Sequence, residues 1–318
     1  MKPIFILASN IALLAGLSTQ TLGGFPFHIE RNDKGIWFYE NDEPILFYQV
    51  THKSQKGQFR RANYIHPLYG IGGHVITEDF PDDHLHHRGV FWAWHQVRVN
   101  GENIGDNWEC RDFNWHVAKP TVTCYRRYID LLTNVTWSSP SLRDGQNNPK
   151  PIIQETTRIR IHRKCKSYRM IDFKIHLSAI QENVAIGGSE NNKGYGGFSP
   201  RIRIPPDAQF IGANGPIEPQ RTAVEAGPWL NIVGKYNEGD IDEGFAMITH
   251  PDNPGYPEPW ILRRSGSMQN AKYPGRNAIA VGSGDGAWTL RYRLVVHRCG
   301  NDVALLNRLT CQFAEGTN

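Results

Sequence analysis

Alternation of apolar and polar residues with a period of two dominates this chain. Thr157-Arg158-Ile159-Arg160-Ile161-His162 and Met170-Ile171-Asp172-Phe173-Lys174-Ile175-His176-Leu177 each place apolar side chains on one face and polar ones on the other, the signature of half-buried strands. Strand-like composition with less regular alternation marks Trp37 to Tyr39, Ile45 to Val50, Thr121 to Tyr128, Leu131 to Trp137, Phe245 to Thr249 and Leu290 to His297. Helical spacing occurs in one place, Asp302 to Phe313, where Val303, Leu305, Leu306 and Leu309 could cover a sheet edge or end. The pattern predicts an all-β fold: a large antiparallel β-sandwich or supersandwich with a short C-terminal helix.

Gly- and Pro-rich stretches at Gly187 to Gly197, Pro205 to Pro219 and His250 to Pro259 separate the strands as long loops. Gly282-Ser283-Gly284-Asp285-Gly286 precedes a strand-like run and not a helix, so it reads as a hairpin turn and not as a phosphate-binding loop. With no repeat or linker, residues 24–318 are expected to form a single β-sandwich domain. Residues 1–23 read as a secretory signal, because Lys2 precedes an apolar run from Ile4 to Leu17 that is short for a membrane span. A retained membrane anchor is the alternative for that segment. The expected location of the mature chain is periplasmic or secreted, with no stable membrane span after signal removal.

The formal net charge is +4, and basic residues are interspersed with acids in place of forming a stripe. That distribution argues against nucleic acid as a partner. The five cysteines, Cys110, Cys124, Cys165, Cys299 and Cys311, include no CxxC spacing, so neither a zinc knuckle nor a redox motif is legible. Export would permit disulfides, and an odd count leaves at least one thiol without a partner in the chain.

Chemistry concentrates between His66 and Trp94, where five of the thirteen histidines fall, from His66 to His87. In an extended segment His84 and His86 would project to one side and His87 to the other. Two imidazoles on one face after Asp79, Asp82 and Asp83 could bind a divalent metal through His84, His86 and Asp79. A metal-free site with histidine as general acid or base is the competing reading, since imidazole titrates near neutrality. A third is structural: Pro81-Asp82-Asp83 forms a turn and the histidines satisfy neighbouring groups beside a packed Trp92-Trp94 core. No GxSxG or HExxH motif is present.

The run His66-Pro67-Leu68-Tyr69, then Thr77-Glu78-Asp79-Phe80-Pro81-Asp82-Asp83-His84-Leu85-His86-His87-Arg88-Gly89 and Val99-Asn100-Gly101, resembles the PmoA-like family of exported bacterial proteins. Tyr195 to Phe198, Gly244 to Ile248 and His250 to Pro254 with Trp260 are similar to that family's later blocks. Some members carry the label methane oxygenase, which a chain with at most one N-terminal apolar segment does not fit. The resemblance implies a sandwich like the galactose-mutarotase supersandwich, whose members include sugar epimerases and lyases, and so a carbohydrate or other small polar ligand. On that expectation His84, His86, His66 and Glu190 are the acid–base candidates. Arg88, Arg201, Glu78 and the rings of Trp92, Trp94 and Trp108 are the candidates for binding. Trp37, Trp137 and Trp288 sit in strand-like runs and read as core. A non-catalytic glycan-binding or surface-assembly module needs the aromatic platform and not the titrating histidines.

Overall fold

A computed structural model describes residues 18–21, 26–236, 243–265 and 268–316. The apolar run from Ile4 to Leu17 lies outside them. Two large antiparallel sheets face each other. One has nine strands, in the order Ser18–Thr21, Phe27–Arg31, Gly35–Glu40, Glu43–Gln49, Tyr64–Leu68, Val90–Ala93, Gly197–Pro200, Asn270–Lys272 and Trp260–Ile261. The other has ten, built around the long neighbours Tyr128–Arg143, Pro149–His162, Tyr168–Ala179 and Trp288–His297. A four-stranded sheet and a separate two-stranded hairpin, Lys53–Gln55 with Gln58–Arg61, complete the β-structure.

The mainly β reading therefore holds, in a β-sandwich-like arrangement, and the predicted strands are present with shifted ends. Thr121 to Tyr128 is split, because Tyr125 N–H donates to Tyr128 O and closes a turn between Thr121–Cys124 and Tyr128–Arg143. The helix runs Val303–Ala314, capped by Asp302, whose carboxylate accepts from Leu305 N–H at 2.9 Å. Among the described residues no helix is long and apolar enough to cross a membrane, and all five cysteines are free thiols.

The core lies between the large sheets. Phe198 stacks on Tyr292 at 4.4 Å between ring centroids, and Phe173 meets Phe198 at 4.9 Å and Trp92 at 6.2 Å. Within it Glu155 is fully buried. Its carboxylate accepts from Asn63 Nδ2 (2.8 Å), Trp92 Nε1 (3.0 Å), Thr157 Oγ1 (2.7 Å) and Trp137 Nε1 (2.9 Å). Burial nevertheless raises its pKa.

Alternation along Val90–Ala93 divides the molecule: Trp92 joins the inter-sheet core, whereas Phe91 and Ala93 join a second cluster with Tyr64, Trp108, Ile261 and Met268. That second cluster, on the outer side of the nine-stranded sheet, is the floor of the histidine block. The C-terminal helix seals a third cluster against Trp229, Ile248 and Val295 on the far side of the ten-stranded sheet.

Candidate functional site

Three short segments running side by side build the site. Glu78 N–H donates to Arg201 O (3.0 Å), Gly89 N–H to Glu78 O (2.7 Å), and Arg201 N–H to Gly89 O (2.6 Å). Gly89 has φ +40°, and a Cβ there would sit 1.9 Å from Ile65 O, so only glycine permits this approach. From this base the chain closes through two turns, with His84 N–H donating to Pro81 O (3.0 Å) and His87 N–H to His84 O (2.9 Å).

The segment is a pair of turns and not the extended strand that would send His87 away from its neighbours. His84 stacks on His87 at 4.6 Å, His86 meets His87 edge-on at 4.5 Å, and His84 and His86 stand 5.7 Å apart. All three histidines converge.

Arg201 holds the turn in place. Its Nε donates to Glu78 (2.6 Å), and its two terminal nitrogens fork onto Asp83 at 3.0 and 2.7 Å. Asp83 also accepts from His84 Nδ1 at 2.7 Å. Burial opposes ionisation of Asp83, but the Arg201 fork and His84 outweigh it and hold the carboxyl at about 2. The turn is thus charged at its anchor and uncharged at its tip. Burial first, then His84 and the buried Arg61 guanidinium, lower His86 to about 3. The same causes, with His86 and Arg201 added, push His87 well below the ordinary imidazole value.

Beside the turn stands a pair of residues that the sequence pattern does not single out. His95 Nδ1 lies 3.0 Å from Asp106 Oδ2. A carboxylate only accepts, so Nδ1 is the donor of this bond, and in the neutral ring Nε2 is the acceptor nitrogen. That Nε2 is buried without a protein partner. The Trp108 ring links the two groups, stacked on His95 at 5.4 Å and edge-on to His87 at 5.8 Å. Tyr195 packs on both Trp108 (5.1 Å) and His95 (5.0 Å). Burial raises the Tyr195 hydroxyl, as do the nearby Glu109 and Asp106, and Glu109 lies 3.6 Å from His86 Nδ1. Four non-glycine residues around this area, Phe59, Phe80, Cys110 and Asp112, have φ of +50° to +57°, the kind of strain that collects at functional sites.

The remaining candidates are dispersed. Arg88 is 0% exposed and reaches inward: it pairs with Asp79 at 3.2 Å, lies over the Phe80 ring and donates to Lys53 O and Phe59 O. Asp79 is held by Arg88 and by Lys53 at 2.6 Å, so it does not join His84 and His86. Among the described residues no group of three or more His, Cys, Asp or Glu is placed to hold a metal ion.

Trp92 and Trp94, 2% and 0% exposed, face the core and offer no ring to a ligand, and Trp108 is floor and not platform. Their polar tips are satisfied inside, Trp92 by Glu155 and Trp94 by Tyr273 O at 2.8 Å. Glu190 pairs with Arg98 at 2.7 Å and lines a cavity with Gln96 and Arg276. His66 bonds Thr77 Oγ1 at 3.0 Å and lines another cavity, of about 440 Å³, with His52, Lys53, Phe47 and Trp37. Trp37 is half-buried there and not a core residue, because it lies on the outward face of its strand.

A family model matches residues 36–309, which takes in the whole of this site and both large sheets apart from the strands Ser18–Thr21 and Phe27–Arg31. The chain belongs to DUF6807, a family of unknown function. No curated protein matches it. The matched span begins within the strand Gly35–Glu40 and ends inside the C-terminal helix. The three-histidine turn, its Arg201 anchor and the His95–Asp106 pair all fall within the family's span.

Proposed function

We propose that the chain is an exported carbohydrate-active protein that moves protons on a polyhydroxylated ligand at the three-histidine turn, as a lyase, epimerase or hydrolase does. The main support is the His95–Asp106 pair set against that turn. Asp106 orients the imidazole so that Nε2 can accept a proton, the arrangement by which a carboxylate prepares a histidine base. His86 and His87, neutral because they are buried, act as uncharged hydrogen-bonding groups toward ligand hydroxyls, and Tyr195 is the adjacent proton donor. The carbohydrate class is supported by the resemblance of the histidine block to the PmoA-like family and by a β-sandwich-like architecture comparable with the mutarotase supersandwich, a fold-level argument. Export rests on Lys2 and the apolar run Ile4 to Leu17.

The test pairs thermal melting with turnover of a substrate found by glycan screening. His95→Gln and His86→Gln keep a hydrogen-bonding group of similar reach but cannot shuttle a proton near neutrality. Both chains should stay folded and bind the glycan. Turnover should fall by roughly two to four orders of magnitude in His95→Gln, and less in His86→Gln. If both variants bind and turn over like the parent, the acid–base reading is wrong. Glycan binding without turnover by the parent chain would favour a binding module.

A further inference from the structure

On the outer face of the ten-stranded sheet, two neighbouring cross-strand rows carry charge differently. In one, Asp130, Arg160, Asp172 and Arg293 lie opposite one another on successive strands, and the signs alternate. Arg160 forks onto Asp130 at 2.8 Å through both nitrogens, and Arg293 onto Asp172 at 2.6 and 2.8 Å. In the next row, two residues along, Arg158, Lys174 and Arg291 lie opposite one another with no acid between them. Like charges directly opposite destabilise a sheet. Arg291 takes Asp252 as partner. Among the described residues no carboxylate pairs with Arg158 or Lys174, and both are exposed.

These three cations line a cavity of about 370 Å³. Its opposite wall is the end of the C-terminal helix, Phe313 to Gly316, beside His250. The last turn of that helix has no basic residue, and the wall it forms includes Glu315 as an acceptor, while Asp172 and Asp252, which also line the cavity, are each paired with an arginine. One wall donates and carries positive charge; the other accepts.

We propose that this cavity binds an oxyanion carried on a hydroxylated small molecule, with the oxyanion across Arg158, Lys174 and Arg291 and the hydroxyls toward the helix end. The anion takes the place that a carboxylate fills in the neighbouring row, through charge-assisted hydrogen bonds. The site is separate from the three-histidine turn, which belongs to the other large sheet, and does not depend on the reading given to it.

Calorimetric titration of the full chain with glucose 6-phosphate, inorganic sulfate and glucose tests this, alongside Lys174→Glu and Lys174→Met. Lys174→Glu places a carboxylate between Arg158 and Arg291 and makes the row alternate like its neighbour. The parent should bind glucose 6-phosphate more tightly than sulfate and should not bind glucose. Lys174→Glu should weaken glucose 6-phosphate by roughly tenfold or more and melt about 1–2 °C higher. Lys174→Met should weaken binding without adding an acid, which keeps the test usable if the charge reversal folds poorly. No binding of either anion, or an unchanged affinity in both variants, would overturn the site. Glucose bound as well as its phosphate would do the same. Equal affinity for sulfate and glucose 6-phosphate would remove the hydroxyl contacts, and a Lys174→Glu chain melting below the parent would remove the like-charge argument.

Discussion

Glu155 shows how one side chain can organise the interior. It is an acid with four donors and no cation, and those donors come from the strands of both large sheets and the segment at Asn63. Removing the acceptor leaves Trp92, Trp137, Asn63 and Thr157 with buried groups that have lost their partner, the expensive side of hydrogen-bond energetics. Glu155→Gln should destabilise the fold by about 1–3 kcal/mol, and Glu155→Leu by about 3–5 kcal/mol, as measured by urea denaturation. A leucine variant as stable as the parent would show that the network contributes nothing. This residue was not legible beforehand, because an acid in the run Gln154-Glu155-Thr156 looks like any solvent-facing position until the facing tryptophans are known.

At the scale of elements, the Lys53–Arg61 hairpin pairs with no other strand, and a lone two-stranded hairpin is marginal in water. Arg88 fastens it by donating to Lys53 O and Phe59 O while Lys53 and Arg88 share Asp79. Arg88→Met should release the hairpin, so that trypsin cuts at Lys53, Lys56 or Arg60 far sooner than in the parent while the rest of the chain resists. Unchanged cleavage would deny Arg88 this role, and cutting throughout the chain would show general unfolding instead. Strands with one wet face, such as Tyr168–Ala179, were legible from alternation. Val90–Ala93, Gly197–Pro200 and Trp229–Gly234 are buried on both faces and so carry no alternation to read. The same limit applied to the site. The histidine block was visible as composition, but its double turn, the Arg201 anchor and the approach of His95 depend on contacts between segments distant in sequence.

For the molecule as a whole, buried neutral histidines set the response to acid. Burial lowers His52, His66 and His297 to about 4 and His86 to about 3, and it holds His87 well below the ordinary 6.5. A histidine with a depressed folded pKa binds fewer protons folded than unfolded between the two values, so stability rises with pH across that window. The stabilisation is fully present above about 6.5 and is lost as pH falls toward 4 and below. Asp83 and Asp172, both held at about 2, add to the loss below the ordinary carboxylate range. Glu155 and Glu258 are raised by burial and act oppositely as pH rises above 4.5, but they are outnumbered. The melting temperature should therefore drop steadily from pH 7 to pH 4.5. A flat profile over that range would mean the imidazoles are reached by water and protonate without opening the fold.

The Trp108 indole turns that acid response into an optical signal. Its ring is buried between His95 and His87, and a protonated imidazole quenches the emission of an adjoining indole where a neutral one does so weakly. Trp94, Trp115, Trp137, Trp229 and Trp260 are buried, their ring contacts lie elsewhere than on the three histidines of the turn, and they supply a steady background. A change in intensity without a red shift would thus report proton or ligand arrival at the turn in the intact fold, whereas a red shift would report the interior opening to water.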